Sequence, residues 1–250
     1  VTVEGALTGG VIAAGDGRRL RDEGWTVPKP MVPVAGVPLL ETVVGNLLGA
    51  GIAPIAIIVN ERHGHCADWA RRRFPGADLR FIVETTASSL ESFARVAASD
   101  LPGPMLVSTV DAWCRPADFA RFVAAARRRP PEALVLAVTP LVADEKPLWV
   151  EADAEGRVTR LGGSTGHAVT AGLYLVPARL RRQAPPDGLG RLREYLAWLV
   201  ERGEPVYAEA IETIVDVDRT SDVALAESLA RPARAGVSVG TAPMASAPRR

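Results

Sequence analysis

Through the first 140 residues, short runs of unbroken apolar residues alternate with stretches of helical period. Leu7–Ala14, Ile55–Val59, Leu79–Val83, Met105–Val110 and Leu134–Thr139 read as strands, apolar as a set rather than alternating. Strands buried on both faces are characteristic of a mainly parallel sheet, because the crossover that joins parallel strands covers the sheet with helices. Between them, Pro38–Ala50 places Leu39, Leu40, Val43, Val44, Leu47 and Leu48 on one helical face and ends at Gly51. Helices are likewise expected over Asp68–Arg73, over Ser88–Ala98 behind a Ser-x-x-Glu capping box, and over Ala117–Arg129. Leu148–Ala152 and Arg157–Leu161 flank a turn at Asp153–Gly156 and predict a hairpin, so the second half of the sheet should be mixed. Thr170–Val176, Val206–Ala210 and Ile214–Val217 complete the strands, with helices over Leu189–Val200 and Ser221–Leu229. The expected fold is α/β, a doubly wound, Rossmann-like three-layer sandwich over residues 1–230. From Arg231 the chain turns to Ala, Pro, Gly, Ser and Arg without a period, and reads as a disordered tail or a linker.

Composition narrows the function. The formal net charge is zero, so no global field draws the chain to nucleic acid or to acidic lipid, and any phosphate must be gripped locally. The two cysteines, Cys66 and Cys114, make no disulfide framework, and the apolar runs are too short to cross a bilayer. A cytoplasmic protein is expected. Of its 29 Lys and Arg residues, only Lys29 and Lys146 are lysines.

The segment Gly10–Leu40 says most about chemistry. Ala13-Ala14-Gly15-Asp16-Gly17-Arg18-Arg19-Leu20 follows a buried strand, at the edge where an open α/β sheet places its ligand. Two glycines let backbone amides turn inward and form an anion-binding concavity. Arg18, Arg19 and Arg21 add charge, and Lys29 follows in a Pro-Lys-Pro run that restricts its backbone. A dinucleotide fingerprint would need a third glycine where Leu20 stands, and a Walker A loop would need Gly-Lys-Ser/Thr. With Val34-Ala35-Gly36-Val37-Pro38-Leu39-Leu40, this segment resembles the NTP-transferase family of sugar-phosphate nucleotidyltransferases, the NDP-sugar pyrophosphorylases. The resemblance implies that Ala13, Ala14, Gly15, Asp16, Gly17 and Arg18 bind the nucleotide and that Gly15 and Gly17 wrap its triphosphate. It further implies that Arg19 contacts the leaving phosphates and that Lys29 steadies charge beside the reacting ones. Arg18 departs from the Ser or Thr that the family prefers there.

Two further segments deliver carboxylates. Val107–Asp111 is an apolar strand ending in an aspartate, and Ile214-Val215-Asp216-Val217-Asp218-Arg219-Thr220-Ser221-Asp222 sets Asp216 and Asp218 on one face of an extended run. By the same resemblance, Asp111 and Asp216 hold Mg²⁺, while Asp222 reads as a helix cap. Attack of one phosphate on another brings anions together, and a divalent cation between carboxylates and phosphate oxygens offsets that charge. The resemblance also places Thr86 and Ser88 beside the base and Gly172, within Ala171-Gly172-Leu173-Tyr174, beside the acceptor. Many relatives carry Glu-Lys-Pro after the hairpin turn, whereas here Glu145-Lys146-Pro147 precedes the hairpin.

The implied reaction joins a nucleoside triphosphate to a small phosphorylated acceptor, a sugar 1-phosphate, giving an NDP-sugar and pyrophosphate. The rivals are the same transfer to an alcohol or inositol phosphate, a glycosyltransferase of related topology, and a non-catalytic nucleotide-binding module. Asp111-Ala112-Trp113 lacks the second aspartate that the glycosyltransferase would use. His63, His65 and Cys66 lack a fourth ligand at zinc spacing and read as a surface loop, and Cys114 has no adjacent base to make it a nucleophile.

Overall fold

A computed structural model describes residues 5–141 and 147–230, so Lys146 and the 231–250 tail lie outside the described residues. Strand β1 (Thr8–Ala13) leads through the glycine loop into a short helix α1 (Arg18–Asp22). A small ribbon, β2 (Pro33–Val34) with β3 (Val37–Pro38), then opens α2 (Leu39–Gly49). Next come β4 (Ile55–Val59), α3 (His65–Arg73), β5 (Leu79–Val83), α4 (Ser89–Ala97) and β6 (Met105–Thr109). They are followed by β7 (Ala112–Cys114), α5 (Pro116–Ala126) and β8 (Leu134–Thr139). The hairpin of β9 (Trp149–Ala152) and β10 (Val158–Leu161) precedes β11 (Ala168–Val176). The last elements are α6 (Ala178–Arg181), α7 (Leu192–Glu201), β12 (Val206–Ala210), β13 (Ile214–Asp216) and α8 (Thr220–Ala230).

The main sheet runs β5-β4-β1-β6-β11-β8-β12, and the β9–β10 hairpin attaches where Val150 and Trp149 pair with Ala168 and Val169 of β11. Strands β1, β4, β5 and β6 are parallel, as are β8 and β12; β11 alone runs against both of its long neighbours. The sheet is therefore mixed through the central strand β11 and the antiparallel β9–β10 hairpin. Val11 and Ala13 of β1 belong to the core shared with α2, α5 and α8, while Ile12, and Ala14 just past the strand, belong to the core shared with α4 and α7. That alternation, on a strand buried throughout, creates the three layers. Each fully buried Leu or Ile, such as Leu47 and Ile57, contributes about 1.5–3 kcal/mol of transfer free energy.

From β1 the chain crosses to β4 on one side, while β6 pairs with β1 on the other. The loops after β1 and β6 thus part at the point where strand order reverses, which opens the crevice used for ligands in such sheets. Helix α4 starts as its capping box predicts, with Ser88 Oγ accepting from the Glu91 amide at 3.1 Å. Glu91 reaches back to the Ala87 amide at 2.7 Å. No described helix is long and apolar enough to cross a membrane.

Candidate active site

The glycine loop is shaped by Lys29. Gly17 has φ 59°, and a Cβ added there would come within 2.9 Å of the Lys29 Cβ, so both conformation and space require glycine. Lys29 opens a short 3-10 turn after Pro28 and is buried, 7% exposed, beneath the loop. Its ammonium donates to Asp111 Oδ2 at 2.5 Å and to Asp218 Oδ1. Arg19 donates to the other oxygen of Asp218 at 2.9 Å. Burial alone would depress the Lys29 pKa, but Asp111, Asp218 and Asp216 outweigh it and raise the value. Burial likewise pushes the Asp111 carboxyl up, and the Lys29 charge together with hydrogen bonds from Lys29, Thr109 and the backbone more than reverses this, holding it below its ordinary value.

Three carboxylates converge. Oxygens of Asp111, Asp216 and Asp218 all lie within 4.8 Å of one another. The device that assembles them is a two-stranded ribbon in which β7 pairs antiparallel with β13, setting Asp216 opposite Ala112 and Val215 opposite Trp113. The Asp111 carbonyl also accepts from the Val217 amide at 3.0 Å, which ties the end of β6 to the late segment. Asp222 Oδ2 accepts from the amides of Asp218 and Arg219 at 3.0 and 2.7 Å, so it caps α8, as its position suggested. Tyr174 lies under this cluster, its phenol pKa raised by burial first and then by Asp216 and Asp111.

Two cavities meet at the carboxylates and share Ser89, Thr109, Asp111 and Asp218. One, of about 480 Å³, is walled by the glycine loop, Lys29, Asn60 and the 85–89 loop. The other, of about 340 Å³, is walled by Thr139, Leu141, Thr170, Gly172, Tyr174 and Arg193 among others. Ala14, Gly15, Asp16, Gly17, Arg18, Arg19, Thr86 and Ser88 all line the first; Ala13 lies buried in the strand just below. The Ser88 hydroxyl accepts the capping bond, and Thr86 Oγ1 is 2.6 Å from Ser92 Oγ. Gly172, with φ 70°, lines the second cavity. A Cβ there would strike Thr109 Oγ1 at 2.5 Å and Ala112 Cβ at 3.0 Å, so the close approach it permits is that of β6 and β7.

Three residues of this site went unassigned from the sequence. Asp218 faces the two cations, and its only signal was the shared face with Asp216. Buried Asn60, just past β4, donates to the Ala14 carbonyl at 3.3 Å and accepts from the Arg62 amide at 3.0 Å, joining two of the loops. Arg193 reaches the second cavity from α7, a placement that only the tertiary fold reveals. His63 and His65 sit edge to face with ring centroids 6.3 Å apart, and Cys66 and Cys114 are both buried free thiols. Among the described residues, the aspartate triad is the one grouping of potential metal ligands.

The model of the MobA-like NTP transferase domain matches residues 9–183. CMP-5'-(3-aminopropyl)phosphonate synthase of Streptomyces rubellomurinus is 30% identical over 199 residues, which are 75% of this chain and 31% of that protein. The chain thus spans about a third of that relative's length. The fold matches a putative glucose-1-phosphate thymidylyltransferase of Bacillus anthracis with TM-score 0.78 at 17% identity, over 92% of this chain and 98% of the other. It also matches the inositol-1-phosphate CTP transferase of T. maritima with TM-score 0.75 at 19% identity, over 87% and 92% of the two chains. With its glycine loop, its switch-point crevice and this match to more than half its length, the chain belongs to the MobA-like NTP transferase family.

Proposed function

We propose that the chain is a nucleotidyltransferase that joins a nucleoside triphosphate to a small acceptor carrying a phosphate or phosphonate. The observation that carries this reading is the convergence of Lys29, Arg19 and three aspartates where two cavities meet. The larger cavity takes the triphosphate, with the Gly15–Gly17 amides, Arg19 and Lys29 against its phosphates. The smaller takes the acceptor, with Arg193 at its wall for the anionic end. An acceptor oxygen attacks the α-phosphorus, the bond to the bridging oxygen breaks, and pyrophosphate leaves toward Arg19 and Lys29. Holding both reactants in line supplies much of the rate, because it replaces a bimolecular encounter.

An all-oxygen set of three carboxylates fits Mg²⁺, a hard cation. Asp111, Asp216 and Asp218 would hold it, and when bound it would offset charge on the phosphates and favour in-line displacement. The carboxylates then act as a fixed anionic wall, with Asp111 oriented by the ribbon and Asp218 by Asp222.

For the acceptor, a non-sugar phosphate or phosphonate is the first reading. The relative that acts on a phosphonate supports it, as do the apolar residues Leu141, Leu148 and Val169 in a small cavity. A sugar 1-phosphate is the second reading, favoured by the resemblance of residues 11–40. The test pairs each of ATP, CTP, GTP, UTP and dTTP with a hexose 1-phosphate, an inositol phosphate and 2-aminoethylphosphonate, and follows Mg²⁺-dependent pyrophosphate release. Release with one acceptor class identifies it. Thermal stabilisation by a triphosphate without release from any pair would reduce the chain to a binding module.

A further inference from the structure

The aspartate triad already contains a cation. The Lys29 ammonium bonds Asp111 and Asp218, and Arg19 bonds Asp218, so two fixed positive charges stand against three carboxylates. We infer that Lys29 is the resident counter-ion of this site, and that a divalent metal enters only together with a polyphosphate. This rests on the nucleotidyltransferase reading above and adds an order of assembly to it.

The argument is electrostatic and steric. A free divalent cation approaching Asp111 and Asp218 meets an ammonium already within hydrogen-bond distance of both. It would have to displace that ammonium into a place that offers it nothing, since Lys29 is buried and its stem is wedged against Gly17. The cost of leaving a buried charge without its partners exceeds what one more carboxylate contact returns. A triphosphate changes the balance. Its anionic oxygens, cradled by the glycine loop directly above, offer Lys29 and Arg19 new partners within the same cavity. Once both cations turn to phosphate, three carboxylates are left to hold a metal, and the phosphates supply further oxygen ligands. Lys29 in this role is a positioning residue for the metal. It prevents idle loading and ties metal capture to the arrival of substrate.

Water-proton relaxation with Mn²⁺ as the probe tests this, because the signal rises when the ion is immobilised on protein. With the wild-type chain, Mn²⁺ together with inorganic tripolyphosphate should bind at least about tenfold more tightly than Mn²⁺ alone. That comparison needs no variant, so it stands even if substitution impairs folding. In Lys29→Met, Mn²⁺ alone should bind at least about tenfold more tightly than to wild type, narrowing the gap. Wild-type protein that takes up Mn²⁺ alone as tightly as Lys29→Met, while still binding the tripolyphosphate complex, would overturn the inference and leave the metal assignment standing. Absence of binding with and without tripolyphosphate would remove both.

Discussion

At the scale of single residues, the site depends on a few closely packed groups. Gly17 combines a left-handed backbone with a Cβ position that Lys29 already occupies. Gly17→Ala should cost about 1–2 kcal/mol from backbone conformation alone. It should also raise KM for the triphosphate by displacing Lys29; denaturant midpoints and initial rates measure the two effects. Unchanged values for both would show that the loop has another shape in solution. Asp111 is the carboxylate that Lys29, the β6 terminus and the β7–β13 ribbon all fix. Asp111→Asn keeps the volume and removes the charge, so pyrophosphate release should fall by at least about a hundredfold with the circular dichroism spectrum unchanged. Near-normal turnover would remove Asp111 from the reaction.

At the scale of elements, loops depend on bonds between strands that a sequence does not announce. Asn60 joins the loop after β1 to the loop after β4, and its Oδ1 also receives the Thr85 hydroxyl at 3.4 Å from the loop after β5. Asn60→Ala should destabilise the chain by about 2–3 kcal/mol, since it leaves the partners of a buried amide unpaired. Weaker triphosphate binding should accompany that loss; a stability change without it would make Asn60 purely structural. Strands β4 and β8 fall where their apolar runs placed them, because a strand buried on both faces carries its signal locally; β5 and β12, less buried, also keep their expected bounds. The β7–β13 ribbon was invisible for the opposite reason. Ala112–Cys114 is three residues long and pairs with a segment a hundred residues away, so no local pattern announces it. Asp111 was legible as a carboxylate at a strand end and Asp216 as one on a late extended run, but the placement of Asp218 against Lys29 and Arg19 required the ribbon's register. Gly172 was legible through the resemblance as a residue beside the acceptor, whereas what its missing Cβ makes room for, Thr109 and Ala112, emerged only from strand pairing.

At the scale of the whole molecule, zero net charge leaves phosphate capture to local groups, and the chain brings those groups together from both of its ends. The loop that carries Arg19 and Lys29 is bound to the start of α8 through Glu23, which accepts from the Thr220 amide at 2.7 Å, and Trp25, which donates to the Thr220 hydroxyl at 2.9 Å. Global unfolding therefore dismantles the site and the core at once, and a buried group outside both cavities can report on it. Cys114 is such a group: it lies within β7, 1% exposed, with its sulfur 3.6 Å from the Asn46 amide nitrogen. Burial first, and the Asp118 charge second, push its thiol up from the ordinary 9.0 to about 12. Because the folded value is the higher one, the stabilising contribution is complete below pH 9 and is lost as pH rises toward 12, where only the unfolded chain can form the thiolate. Between pH 8 and pH 10 the wild type should lose about 1.4 kcal/mol more stability than Cys114→Ala, whose unfolded state has no such thiol to ionise. Urea unfolding at a series of pH values measures both slopes. Parallel slopes would mean that the thiol reaches water in the native protein, and with it that the β7–β13 ribbon, on which the aspartate triad depends, is open in solution.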